Sequence, residues 1–128
     1  MILDSSAVIA LLREEPGHDR LYSKLEGAET LGIGTPTLFE TAMVATGRFG
    51  DGGAALVRLF VGDWGVEVIP FGARHWVAAA DAFARYGKGR HRAALNFGDC
   101  MTYASAQLAQ MPLLFTGTDF AKTDLAAA

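Results

Sequence analysis

The sequence has a single cysteine, no apolar run of the length a membrane span needs, and no surplus of basic residues. A lone Cys100 cannot close an internal disulfide, so the fold must rest on its core. The apolar stretches are broken by charges or glycines well short of the roughly twenty residues that cross a bilayer. Met1-Ile2-Leu3 runs straight into Asp4 without the basic region, long apolar core and small-residue cleavage site of a secretory signal. These absences predict a protein of the reducing cytoplasm, with no membrane partner. Eleven Lys and Arg stand against 14 Asp and Glu, a formal charge of −3, so the general basic character of a non-specific nucleic-acid binder is missing. Whole-chain charge misleads, however, when acids gather in one place. If four acids occupy one pocket, the remaining ten nearly balance the bases, and the exterior is free to carry basic patches.

What is present is 128 residues, 51% hydrophobic and 20% charged, which suits one globular domain over residues 1–128 and excludes disorder. Met1-Ile2-Leu3 reads as a strand, and Asp4-Ser5-Ser6 then offers a helix N-cap before Ala7 to Leu12. Pro16-Gly17 interrupts. Leu21, Tyr22 and Leu25 suggest a second helix ending at Gly27, and Thr30 to Gly34 a second strand. Thr35-Pro36-Thr37 starts a helix with Pro in its first turn. That helix, Leu38 to about Gly47, is apolar nearly all round and is expected to lie mostly buried, with Glu40 its one acid.

After the Gly50–Gly53 turn, a helix is expected to carry Ala55, Leu56, Leu59 and Phe60 on one face. Val66 to Ile69 reads as a strand closed by Pro70, and Ala73 to Tyr86 as a helix with Trp76, Val77, Ala80, Phe83 and Ala84 inward. Gly98-Asp99 opens another helix through about Gln110. Pro112 to Phe115 is the last strand, and Thr116 to Phe120 turns into a short final helix. Strands alternating with helices predict an α/β fold around a parallel or mostly parallel sheet with helices on both faces.

Ligands of such sheets bind beyond the carboxyl ends of the strands, where loops and helix N-termini converge. Asp4 and Asp119 follow predicted strands directly, Glu40 lies in the first turns of the helix after another, and Asp99 opens a helix. Each has an ordinary structural alternative: Asp4 and Asp99 as N-caps, Asp119 as a turn residue, and Thr37-x-x-Glu40 as a capping box. Their shared edge weakens those alternatives. Four gathered carboxylates repel one another unless a cation sits among them. Oxygen ligands suit Mg²⁺ or Mn²⁺, one ion or two, which keep several waters, activate a water and stabilise charge developing on an attacked phosphate. That is phosphodiester hydrolysis chemistry.

Four stretches carry a resemblance: Met1-Ile2-Leu3-Asp4-Ser5-Ser6-Ala7; Thr35-Pro36-Thr37-Leu38-Phe39-Glu40; Leu95-Asn96-Phe97-Gly98-Asp99-Cys100; and Pro112 to Phe120, with Thr116-Gly117-Thr118-Asp119-Phe120 at its end. Over nearly its whole length the chain resembles the small PIN-domain ribonucleases, and within them the VapC toxins of bacterial toxin–antitoxin pairs. The resemblance implies a three-layer α/β/α sandwich and a Mg²⁺- or Mn²⁺-dependent endoribonuclease that arrests translation. It maps the family's three core acids onto Asp4, Glu40 and Asp99, and its more variable fourth acid onto Asp119. Ser6, Thr116 and Thr118 match positions where the family often has hydroxyls. It further implies a cognate VapB-type antitoxin, a homodimer and a toxin–antitoxin hetero-oligomer. The alternative is a catalytically silent PIN-like module that binds RNA or protein.

Other motifs fail. Gly32-Ile33-Gly34 begins like a dinucleotide loop, but Thr37 stands where the third glycine belongs, and no Walker lysine motif occurs. A phosphoacceptor receiver domain needs adjacent acids after the first strand, and a haloacid-type phosphatase needs a second Asp at the position of Ser6. His18, His75 and His91 lack partners at zinc spacing. Lys88, Arg90 and Arg92, in a glycine-rich loop just before Asp99, are candidates for RNA phosphate contacts, or else a solvated loop. Phe39, Trp64, Trp76, Phe83 and Phe97 are expected in the core rather than as base-stacking platforms.

Overall fold

The apolar residues ahead of Asp4 form β1 (Ile2–Leu3), an inner strand of a four-stranded sheet in the computed structural model, which describes residues 1–128. α1 (Ser5–Leu12) and α2 (His18–Glu26) lead to β2 (Gly32–Gly34). α3 (Thr35–Phe49), α4 (Gly53–Asp63), β3 (Glu67–Ile69), α5 (Ala73–Tyr86), α6 (Phe97–Ala109) and β4 (Leu113–Leu114) follow, and a 3₁₀ turn (Phe120–Lys122) comes near the end. The strand order is β3-β2-β1-β4, and every pair is parallel, with Ile2 opposite both Gly32 and Leu113. Every expected element is therefore present, the strands a residue or two shorter than their apolar runs.

Side chains alternate across the sheet and build two cores. Leu3, Ile33 and Leu114 point to the face covered by α1, α2 and α4, where they meet Val8, Leu11, Leu25 and Phe60. Ile2 and Leu113 point to the face covered by α5 and α6, where they meet Ala82, Tyr103 and Ala106. The result is a three-layer α/β/α sandwich. β2 is glycine-rich because its neighbours come close: a Cβ on Gly34 would overlap the Ser105 hydroxyl, and one on Gly32 would press on Ile2 and Ile69. The outer edge of β4 is covered by the C-terminal segment, with Leu113 N–H donating to Ala126 and Ala128 N–H donating to Leu113. That covering removes an edge that could pair with another chain. Arg85 and the Tyr103 hydroxyl both donate to the Asp124 carboxylate and anchor this segment to α5 and α6.

Four expectations about burial are overturned in whole or in part. α3 buries only Thr37, Thr41 and Ala45, and leaves Phe39 68% and Met43 59% exposed. In α4 the buried positions are Gly53, Val57 and Phe60, with Leu56 and Leu59 outside. In α5 they are Ala78 and Ala82, while Trp76 (63%), Val77 and Phe83 face outward. Of the five aromatics expected in the core none is fully buried; Trp64 is the most covered and Phe97 is 83% exposed. The physical reason is shared: helices pack closely through their small residues, and the large apolar side chains then lie outside the contact. α5, α6 and Phe71 enclose a groove of about 540 Å³ lined by apolar residues only, among them Trp76, Phe83, Phe97 and Met101. No helix is long and apolar enough to cross a membrane.

The α3–α4 crossing gives a stability test. A Cβ on Gly53 would overlap the backbone of Ala45 and Thr46, which no side-chain rotation relieves. Helix propensity favours Ala over Gly by about 1 kcal/mol, whereas overpacking costs about 1–3 kcal/mol. Gly53→Ala is therefore expected to lower the urea midpoint. A raised midpoint would show that α3 and α4 do not pack this closely.

Candidate active site

Asp4 caps α1: its carboxylate Oδ2 accepts hydrogen bonds from the Ser6 backbone N–H at 3.0 Å and the Ser6 hydroxyl at 2.6 Å. It is 5% exposed. The Ser6 oxygen in turn accepts from the Thr116 N–H at 3.0 Å, so one hydroxyl ties the turn after β1 to the turn after β4. The Thr116 and Thr118 side chains make no hydrogen bond; Thr116 contributes its backbone.

Glu40 stands in the second turn of α3, which starts beyond Gly34 with Pro36 in the first turn and no side-chain cap. The capping box is not formed. Thr37 lies inside the helix with its hydroxyl 2.7 Å from that of Thr102, and Glu40 reaches instead to Ser5, whose hydroxyl donates to Oε1 at 2.5 Å. Its other oxygen lies where a Cβ on Gly98 would be, so a larger residue at this position would displace the carboxylate.

Asp99 is the third residue of α6, and Asn96 is the N-cap. The Asp99 N–H donates to Asn96 Oδ1 and the Asn96 N–H donates to Asp99 Oδ2, both at 2.9 Å. Because α6 leads into a strand parallel to β1, its N-terminus lies at the same sheet edge as Asp4. Asp119 follows Gly117, which holds φ +84°, and begins the 3₁₀ turn anchored by buried Phe120. Its carboxylate is exposed, with the Lys122 ammonium 3.9 Å away.

The electrostatics bring the four acids together. The Asp99 carboxyl is pushed up to about 6, first by burial; the hydrogen bond from Asn96 opposes this, and the charges of Asp4, Asp119 and Glu40 add to it. No three His, Cys, Asp or Glu side chains converge tightly enough to ligate one ion unaided. In Asp4, Glu40 and Asp99, one oxygen is fixed by a hydrogen bond and the other has none. An all-oxygen set with free lone pairs and net negative charge fits a hard divalent ion that retains waters.

Lys88, Arg90 and Arg92 are exposed on the loop between α5 and α6, pinned at its base by pairing of Gly87 with Leu95. Arg90 lies over the Phe83 ring at 5.5 Å and so leans on the rim of the apolar groove. The three histidines stay apart: His75 and His91 each accept a backbone N–H nearby, and His18 sits beside Asp19. Sequence inspection passed over Ser5, Asn96, Gly98 and Lys122. Asn96 had a detectable signal, an Asn three residues before an acid at a helix start, and Lys122 stands three residues after Asp119 on the final turn; Ser5 and Gly98 become visible only when distant segments meet.

A family model for the PIN domain matches residues 1–125. The chain is 48% identical over 126 residues to Ribonuclease VapC36 of Mycobacterium tuberculosis, covering 98% of this chain and 91% of that protein. Its fold is similar to that of the Mycobacterium tuberculosis toxin VapC20, described as cleaving the sarcin–ricin loop, with a TM-score of 0.80, 18% identity, and 99% and 97% of the two chains covered. It is also similar to a chain of VapBC2 from Rickettsia felis bound to a promoter DNA fragment, with a TM-score of 0.78, 15% identity, and 99% and 96% covered.

The raised Asp99 group has a stability consequence. Between about pH 4 and 6 the unfolded chain has released this proton while the folded chain still holds it, so its contribution to stability falls as pH rises. Asp99→Asn keeps the acceptor for Asn96 and removes the charge. In EDTA at pH 7.5 this variant is expected to melt above wild type, and the two should converge below pH 4. A lower melting temperature for the variant at both pH values would contradict the crowding of charge at this edge.

Proposed function

The chain belongs to the PIN-domain family, and from that premise we propose that it is a metal-dependent endoribonuclease, a single domain over residues 1–128 that acts as the toxin of a toxin–antitoxin pair in the cytoplasm. The observation that carries this is the half-fixed state of the carboxylates. Ser6, Ser5 and the Asn96 N–H hold one oxygen each of Asp4, Glu40 and Asp99, leaving the other oxygen of each available. Those three acids would hold Mg²⁺ or Mn²⁺, directly or through water. Such an ion, one or two per site, supplies an acidified water and neutralises charge on the scissile phosphate. Asp119, its carboxylate exposed and without a hydrogen bond to the chain, completes the site or orients the attacking water. Lys88, Arg90 and Arg92 are proposed to hold the RNA backbone beside the acids, since an acidic edge alone repels a polyanion.

A VapB-type antitoxin is the proposed partner. Two features support it: an apolar groove that begins at Phe97, two residues from Asp99, and an acidic edge that attracts an Arg or Lys from a partner. The exposed Phe39 and Met43 of α3 support a homodimer within the hetero-oligomer. A catalytically silent binding module has no need of three carboxylates held in this way.

Asp4→Asn and Asp99→Asn are each expected to lower Mg²⁺- or Mn²⁺-dependent RNA cleavage by two or more orders of magnitude while folding is retained. Expression of the wild-type chain should arrest growth, with relief on co-expression of its antitoxin. Cleavage by Asp99→Asn at the wild-type rate would overturn the assignment. Replacing Lys88, Arg90 and Arg92 together by Gln should weaken RNA binding and flatten its salt dependence by about 0.7 per lost phosphate contact. An unchanged slope would make the loop a solvated one.

A further inference from the structure

Lys122 is the one cation that forms an ion pair with any of the four acids. Its ammonium stands between two parts of the site. It lies 3.9 Å from Asp119 Oδ1 and donates to the Arg92 carbonyl at 3.4 Å, thereby joining the acid edge to the loop that carries Lys88, Arg90 and Arg92. Both contacts are long for a charged donor, which normally closes to about 2.7–2.9 Å. An ammonium has three donors, and these two contacts leave it short of strong partners while its side chain stays 34% exposed.

The mount is rigid. Lys122 ends the 3₁₀ turn that Asp119 begins, and its N–H donates to the Asp119 carbonyl. Phe120 is buried beneath that turn. Two residues beyond Lys122, Asp124 is gripped by Tyr103 at 2.6 Å and by Arg85 at 2.9 Å. A side chain held only to brace the loop would be expected to close on one acceptor. This one reaches toward two, between the loop that carries the basic residues and the exposed Asp119.

We propose that Lys122 is a substrate-binding residue whose ammonium contacts a non-bridging oxygen of an RNA phosphodiester at the junction between the basic loop and Asp119, exchanging its long protein contacts for a short charged one. The proposal rests on the ribonuclease reading for the identity of the polyanion. It adds the site at which the backbone crosses from loop to acid edge. The contact is with phosphate, so it gives affinity without base choice.

The test is binding of a fluorescein-labelled single-stranded RNA by anisotropy across a KCl series. It uses the full chain carrying Asp99→Asn, alone and combined with Lys122→Met or Lys122→Arg. Lys122→Met is expected to weaken binding about tenfold and to reduce the slope of log affinity against log salt by about 0.7, and Lys122→Arg to restore both. In the chain with Asp99 intact, Lys122→Met should raise KM with kcat nearly unchanged. Unchanged affinity and slope would overturn the proposal, as would a loss that Arg fails to restore. A fall in kcat or melting temperature with the slope intact would also overturn it, by making Lys122 a brace for Asp119. If the wild-type chain cuts no RNA with either metal while the slope still depends on Lys122, the ribonuclease reading fails and the phosphate site stands.

Discussion

Because all four strands run in one direction, every strand ends at the same edge of the sheet, and α6, whose Asp99 feels the charges of Asp4, Glu40 and Asp119, starts there too. The chain spends this edge on negative charge. Asp4 leaves β1, an inner strand at which the connections turn to opposite sides, Glu40 follows β2, Asp99 starts the helix that feeds β4, and Asp119 follows β4. Burial then raises the cost. Asp4 is nearly inaccessible and Asp99 is partly so, and the neighbouring charges add to the penalty on Asp99.

The response to that penalty is a set of hydrogen bonds that fix one oxygen of three of these carboxylates, those of Asp4, Glu40 and Asp99. Ser6 serves Asp4 and receives the Thr116 N–H, which links two strand ends through one hydroxyl. Ser5 serves Glu40 across 35 residues of sequence, and Gly98 leaves space for the same carboxylate. Asn96 and Asp99 cap each other. The charges are oriented without being neutralised, since Lys122 reaches only the most exposed of the four.

The helical layers follow a different logic. α3 and α5 pack through Thr37, Thr41, Ala45, Ala78 and Ala82, and this close fit turns Phe39, Met43, Trp76 and Phe83 outward. Solvent-facing aromatics in this number are costly for an isolated chain and ordinary for one that is covered by others. The apolar groove and the acidic edge meet at the first turn of α6, where Phe97 and Asp99 are two residues apart.

The sequence alone determined the order of elements, the parallel sheet and the four acids, because these depend on local signals. Short apolar runs, caps such as Asp4 and first-turn prolines such as Pro36 act within a few residues, and alternation of strand and helix then dictates which ends share an edge. Which face of a helix is inward was not legible. In α5 both the alanine face and the aromatic face are apolar, so periodicity finds the helix without choosing its buried side, and only the approach of α6 decides it. The partners of the acids were equally hidden. Ser5 with Glu40, Gly98 with the same carboxylate, and Lys122 with the Arg92 carbonyl are contacts between distant segments, and tertiary structure alone brings those atoms within reach.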